Sequence, residues 1–444
     1  MDLIIQPSAD SKRIPSGEQM MIPSGGQGKR KQRSCDDQSA NEQRNPQVEQ
    51  ATLPTQDEGS LHVRNSASDH AVSSKVSKPK CIRILGIPKD WSETDLLDAL
   101  ETSEWSLKDT KHDISLYPAC CGDNLTALLS LESHAGIFER LKPHDVTYVP
   151  VTAASGSETI LTIDSRFYDL TPLNTPKGEI IADVVAVTGL VGHAFGSWRN
   201  RDTNKMWLKD FLPIDVQGFR IMTYGYNSNL IGNIVDDTVV DYRRQFIHTL
   251  CNARRGIEDR PIIFIGHGLG GILILQALLH CRNGRQYKQL FAATHAILFF
   301  GTPHQGMEVE ELCAMVKDAS PRATSKYEIL RDLERSSNFL NTQREDITNL
   351  WDSTLMIDIL SFYETKKTRT VRKSASGSWG RNGEHVEMVK KNSAQLFWPS
   401  EHRIPVPSDN IGMVKFGSRD DNTYQTVLTH MIRWKDSLIG RHGM

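Results

Sequence analysis

The residues best placed to do chemistry lie in the run Pro261-Ile262-Ile263-Phe264-Ile265-Gly266-His267-Gly268-Leu269-Gly270-Gly271. An apolar strand ends here in closely spaced glycines and gives way to a helical pattern beginning near Ile272. This is the setting of a nucleophile elbow, G-x-S-x-G. Its small residues let strand and helix approach while a strained central serine lifts its hydroxyl above the sheet. Acyl transfer at such a corner needs that hydroxyl and an imidazole to take and return its proton. Here the centre is Gly268, which carries no oxygen. The run also fits G-x-G-x-x-G, as Gly266-x-Gly268-x-x-Gly271, the fingerprint of a dinucleotide site. That alternative lacks its second half. No Asp or Glu occurs from Gly271 to Met307 to hold a ribose, and the run lies deep inside its domain instead of on the first strand.

Positioning such a corner requires a parallel sheet, and the chain from Glu158 onward alternates short strand-like runs with amphipathic helical ones. Strands are expected at Ile160–Ile163, Asp183–Thr188, Phe219–Tyr224, Pro261–Gly266, Ala296–Gly301 and Leu355–Phe362. Val239, Val240, Phe246, Ile247 and Leu250 repeat at helical spacing, as do Tyr424, Val427, Leu428, Met431, Ile432 and Leu438 near the end.

Ahead of this domain, at 158–444, lies a smaller one at 80–153, whose order β-α-β-β-α-β is that of a ferredoxin-like unit. Its strands are expected at Cys81–Leu85, Ile114–Tyr117, Thr126–Leu131 and Val146–Val151. One helix is capped by Ser92 with Asp95 three positions on, and a second runs over Ala135–Leu141. With its Leu85-Gly86-Ile87-Pro88 turn, the unit resembles an RNA-recognition motif. Such sheets stack bases on aromatics, however, and the central strands here offer Ile82, Ile84, Leu128 and Leu131. A packing or protein-docking module is therefore expected. Residues 1–79, rich in Ser, Gln, Asn and Pro and without an aromatic, read as a disordered tail. Its basic run Lys29–Arg33 is either a nuclear-import patch or a solvated spacer.

The 444 residues carry 52 Lys and Arg against 54 Asp and Glu, a net charge of −2, so no global basic field attracts nucleic acid or an anionic bilayer. The seven cysteines are scattered without a C-x-x-C pair and read as reduced thiols of a cytoplasmic-type compartment; no metal or cofactor is implied. No secretory signal is read at the start. The longest apolar stretch, Gly270–Leu279, is far short of the roughly 20 residues that span a bilayer, so no transmembrane segment is expected.

From Val184 to Ser437 the chain resembles a fungal serine-esterase or lipase-like family of α/β-hydrolase fold, found with NACHT-type NLR immune receptors and also as shorter proteins. The resemblance rests on Val187-Thr188-Gly189-Leu190-Val191-Gly192-His193, Trp207–Pro213, Thr223–Tyr226 and the elbow. It continues with Phe300–Gly306, Ser361–Thr365, Ser408-Asp409-Asn410 and Met413–Phe416. It implies an α/β-hydrolase domain with a degenerate triad: Gly268 in the nucleophile position, Asn410 in that of the histidine base, and Glu364 as the one retained member, the acid. The family's His-Gly at the oxyanion strand is Thr188-Gly189 here. The N–H groups of Leu190 and Leu269 still offer an anion notch, since backbone donors need no particular side chain. His402, eight residues before Asn410 and expected in a loop, is the candidate for a displaced base. His193, His267 and His304 are expected to be structural or pocket-lining, and Ser376 and Ser378 to be linker. The reading implied is a non-catalytic binding or regulatory protein that keeps the pocket for an acyl or lipid-like ligand. A hydrolase with a non-standard catalytic set is the alternative.

Overall fold

The computed structural model describes residues 80–442 except 102, 108–109, 132–140, 142–144, 154–155, 232–235, 285–286, 320–323 and 350–356. The tail expected over 1–79 and most of the helix expected over Ala135–Leu141 lie outside the described residues.

Strands β1 (Lys80–Ile87), β2 (His112–Pro118), β3 (Leu125–Leu131), β4 (Val146–Thr152) and β5 (Glu158–Asp164) form a five-stranded sheet in the order β2-β3-β1-β5-β4. The helix Glu93–Glu101 starts at a capping box. The Asp95 N–H donates to the Ser92 hydroxyl at 3.2 Å, and the Asp95 carboxylate accepts the Ser92 N–H at 2.7 Å. Its Leu96 and Leu100 pack in one core with Ile82, Ile84, Leu129 and Leu131.

Two expectations need correcting here. The strand at Ile160–Ile163 was expected to belong to the large sheet. It lies within β5, which forms a hairpin with β4 and pairs antiparallel with β1, Arg83 opposite Asp164. Alternation specifies a strand but not its partner. Leu161 and Ile163 fit the small core, leaving Ile160 63% exposed. Secondly, Ile82, Ile84 and Leu131 do not share a face with Leu128. The first three sit on the helix side, whereas Leu128, with Cys81 and Tyr117, packs into a core of the large sheet. Leu128 and Leu131 are three apart, and a period of two puts them on opposite faces.

The large sheet comprises β6 (Asp169–Pro172), β7 (Ala182–Val187), β8 (Phe219–Gly225), β9 (Ile262–His267), β10 (Thr294–Phe300) and β11 (Asp358–Glu364). Two-residue ribbons follow, β12 (Thr368–Arg369), β13 (Arg372–Lys373), β14 (Trp379–Gly380) and β15 (His385–Val386), before β16 (His402–Val406) closes the sheet. The order β16-β11-β10-β9-β7-β8-β6 is parallel except for β6, which runs antiparallel to β8. Central strands are buried on both faces, as parallel strands covered by helices must be. Val185, Val187 and Phe264 point into a core shared with the helices Val239–Ala253 and Leu269–Asn283. Val184, Ala186, Ile263 and Ile265 point into another, shared with Trp207 and with Tyr424, Val427, Met431 and Trp434 of the helix Asn422–His442. A mostly parallel sheet clothed in this way, with a sharp strand-to-helix turn after β9, is the α/β-hydrolase fold. Register gathers the carboxyl ends of β7, β9, β10, β11 and β16 along one edge, where ligands of open α/β sheets bind.

Candidate active-site pocket

Gly268 makes the turn from β9 into the helix Leu269–Asn283 with φ 53° and ψ −123°. A residue with a side chain is strained at such angles, and glycine is not. The neighbouring glycines serve contact instead. A Cβ on Gly266 would lie 2.5 Å from the Gly271 Cα, and one on Gly270 2.3 Å from the Val187 carbonyl oxygen. At Gly268 the nearest atom to a Cβ would be the Gly189 Cα, at 3.8 Å, so a side chain has room there.

The loop after β7 flanks this corner and is held tightly. Thr188 donates to the Ser197 hydroxyl at 2.8 Å, Tyr226 to the Thr188 carbonyl at 3.1 Å, and Ser228 to the Gly189 carbonyl at 3.2 Å. Val191 takes φ 55°, a left-handed conformation that β-branched residues avoid. Leu190, on this loop, and Leu269, at the helix start, both border the cavity over Gly268. The first N–H groups of a helix have no partner within it, so the Leu269 N–H has no acceptor inside its own helix.

Asn410, after β16, borders the same cavity, whose volume is about 370 Å³. Its backbone carbonyl accepts from His267 Nε2 at 2.8 Å, and its side-chain Nδ2 is buried without a partner among the described residues. That amide fills the space a Cβ on Gly301 would need, 2.3 Å away. Glu364 sits behind, at the end of β11 and buried. Its carboxylate accepts the Thr368 hydroxyl at 2.7 Å, the Val389 N–H at 2.8 Å and the Asn410 N–H at 2.9 Å. Burial raises its pKa, against the pull of those three donors. Thus Gly268, Asn410, Leu190 and Leu269 converge on one cavity, with Glu364 tied to the Asn410 backbone.

The histidines divide by their bonds. His193 Nδ1 accepts the Phe195 and Gly196 N–H groups at 3.1 and 3.0 Å, so its Nε2 donates to the Ser165 carbonyl at 2.9 Å and neither nitrogen is left over. His267, donating through Nε2, is held neutral at about 4, chiefly by burial and also by nearby Lys415, against the Asn410 carbonyl. His304 lies under Phe299, away from this cavity. His402 is not in a loop. It begins β16 opposite Leu360, while Val406 of the same strand is opposite Glu364. Four residues of strand, roughly 13 Å, therefore separate it from the carboxyl edge. Its ring packs on His430, 5.3 Å between centroids.

Sequence reasoning missed the cavity's charge. Arg199, Arg201, Arg381 and Lys415 line it, and no carboxylate does among the described residues. They arrive from three separate segments, so no local run announces them. Among the described residues, no group of three or more His, Cys, Asp or Glu could hold a metal, and no helix is long and apolar enough to cross a membrane.

No family model matches the chain. Among curated proteins it is similar to Protein SERAC1 of Danio rerio, 27% identical over 227 residues, 45% of this chain and 33% of that protein. Protein SERAC1 of Mus musculus is 25% identical over 280 residues, 59% of this chain and 40% of the relative. The chain thus spans well under half the length of these relatives. Among solved structures it is similar to the Bacillus licheniformis lipase BlEst2 in mature form, with TM-score 0.40, 14% identity, and 59% and 97% of the two chains covered. Phospholipase PlaB from Legionella pneumophila gives TM-score 0.38, 12% identity, and 60% and 63% coverage.

Proposed function

We propose that this chain is a non-catalytic member of the α/β-hydrolase fold, a ligand-binding or regulatory protein that keeps the pocket without the reaction. The observation that carries this reading is Gly268 itself, in a nucleophile's backbone conformation with space for a side chain and none present. The nucleophile position is empty of oxygen, and the amide of Asn410 cannot take a proton from an attacking alcohol. Loss of either group lowers turnover on the order of 10⁶-fold in serine hydrolases. Glu364, in this reading, is a buried staple for the Val389 and Asn410 backbones. The fungal, NLR-associated setting that the resemblance implies belongs to the same proposal.

The test treats the purified natural chain with a fluorophosphonate probe and with short- and long-chain p-nitrophenyl esters, beside Gly268→Ser and Gly268→Ser/Asn410→His. No labelling and no turnover are expected of the natural chain, and labelling is expected in the double variant. Covalent labelling or ester turnover by the natural chain would overturn the reading. Gly268→Ser should lower stability by about 1 kcal/mol, because the serine inherits the strained turn without a clash.

A further inference from the structure

The cavity over Gly268 is lined by two unlike sets of side chains. Arg199 and Arg201 follow β7, Arg381 lies among the ribbons between β11 and β16, and Lys415 follows β16. None of the four is ion-paired among the described residues. Arg381 reaches only the Arg369 carbonyl, at 3.1 Å, and Arg199 lies over the Phe195 ring, 5.8 Å from its centroid. Asp409 is the acidic group near enough to act on both Arg381 and Lys415, but it accepts the Gly412 N–H at 2.7 Å and does not border the cavity. In a chain of net charge −2, four cations from three separate segments line one cavity that no carboxylate borders among the described residues, which makes a local site of positive charge. A second observation points the same way. Asn410 is 9% exposed, borders the cavity, and its Nδ2 donor has no acceptor among the described residues. Leu269 adds a backbone donor at the start of a 15-residue helix, and Leu190, on the loop after β7, borders the same cavity. The second set is apolar and includes Met307, Leu312 and Met388.

We propose that this cavity holds an anionic amphiphile, its phosphate-type head group among Arg381, Lys415 and the notch of Leu190 and Leu269, beside Asn410, its apolar chain along Met307, Leu312 and Met388. This rests on the non-catalytic reading, since the ligand occupies the corner where an acyl group would otherwise react. A tetrahedral anion suits the donors, because phosphate accepts from several directions at once and charge-assisted bonds are the strong ones.

Calorimetric titration of the full chain with octyl phosphate, inorganic phosphate and 1-octanol tests this. Octyl phosphate should bind at least about tenfold more tightly than either of the others, and more weakly as salt is raised. Arg381→Ala/Lys415→Ala should weaken it by about tenfold or more while leaving the melting temperature near that of the exposed control Lys177→Ala. Asn410→Asp, which places a like charge beside the head group, should weaken it too, giving a second readout if the double variant folds poorly. Equal binding of octanol or of inorganic phosphate, or unchanged binding by both variants, would overturn the assignment. Fluorophosphonate labelling in the same preparation separates the two levels. No labelling with no binding overturns the ligand alone, whereas labelling overturns the non-catalytic reading and the resident ligand with it.

Discussion

His304 follows β10 in a loop, 4% exposed, and neither ring nitrogen meets a partner among the described residues. Burial alone lowers its pKa from 6.5 to about 3, so the folded protein keeps it neutral. The unfolded chain binds a proton there below pH 6.5 and the folded chain does not. The stability is therefore complete above that value and is lost progressively as pH falls toward the folded value. At pH 5 the loss from this residue is about 2 kcal/mol. His304→Leu, of similar volume and without polar atoms to desolvate, is expected to leave stability near unchanged or improved at pH 7.5 and to gain about 2 kcal/mol over the parent at pH 5. Urea midpoints at the two pH values measure this, and parallel pH dependence in parent and variant would refute it. Residues differ in how openly the sequence displays them. Gly268 stands out because its meaning lies within five positions of chain. The chain shows Arg199, Arg381 and Lys415 only as three ordinary surface charges, because their meeting is a property of the folded sheet edge.

At the scale of elements, the elbow separates two uses of glycine that look alike in sequence. Gly266 has no room, since a methyl would meet the Gly271 Cα at 2.5 Å and the Gly271 nitrogen at 2.8 Å, both backbone atoms that move only if strand and helix part. Gly268 has room but an unfavourable φ. Gly266→Ala is therefore expected to destabilise by about 3 kcal/mol or more, and Gly268→Ala by about 1. Thermal unfolding of the two variants side by side is the measurement, and equal losses would mean that the helix does not rest on Gly266. The strand β9 and its helix were legible because a continuous apolar run, then glycines, then helical spacing agree with one another. The strands at the two edges of the large sheet were not. β6 is four residues long and ends in Pro172, and β16 carries Pro405 within five residues. Proline is tolerated where no neighbouring strand needs its N–H, so sheet edges lose the apolar, β-branched signature by which strands are read. That is why His402 reads as a loop residue until β11 is seen beside it.

At the scale of the whole molecule, the small sheet is joined to the large one through Arg83. Its guanidinium and the Asp164 carboxylate form a buried ion pair, and it also donates to the Tyr168 carbonyl at 2.7 Å, the Thr171 hydroxyl at 2.6 Å and the Leu170 carbonyl at 3.3 Å. One side chain of β1 thus gathers the segment that leaves β5 and enters β6. Around it, Cys81, Tyr117 and Leu128 of the small sheet meet the core of the large sheet. On the face of the small sheet opposite its helix, Leu128 is thus buried against the large sheet. Removing one partner of a buried pair leaves an uncompensated charge, so Asp164→Leu is expected to destabilise by about 3 to 5 kcal/mol. Arg83→Met/Asp164→Leu should recover part of that loss, though not all, because the Asp164 carboxylate also accepts the Arg166 and Phe167 N–H groups. If the two sheets share one core as this contact implies, denaturant should unfold them in a single transition monitored at Trp91 in the small unit and Trp434 in the large one. Two separated transitions would show that Arg83 fastens together units that fold alone.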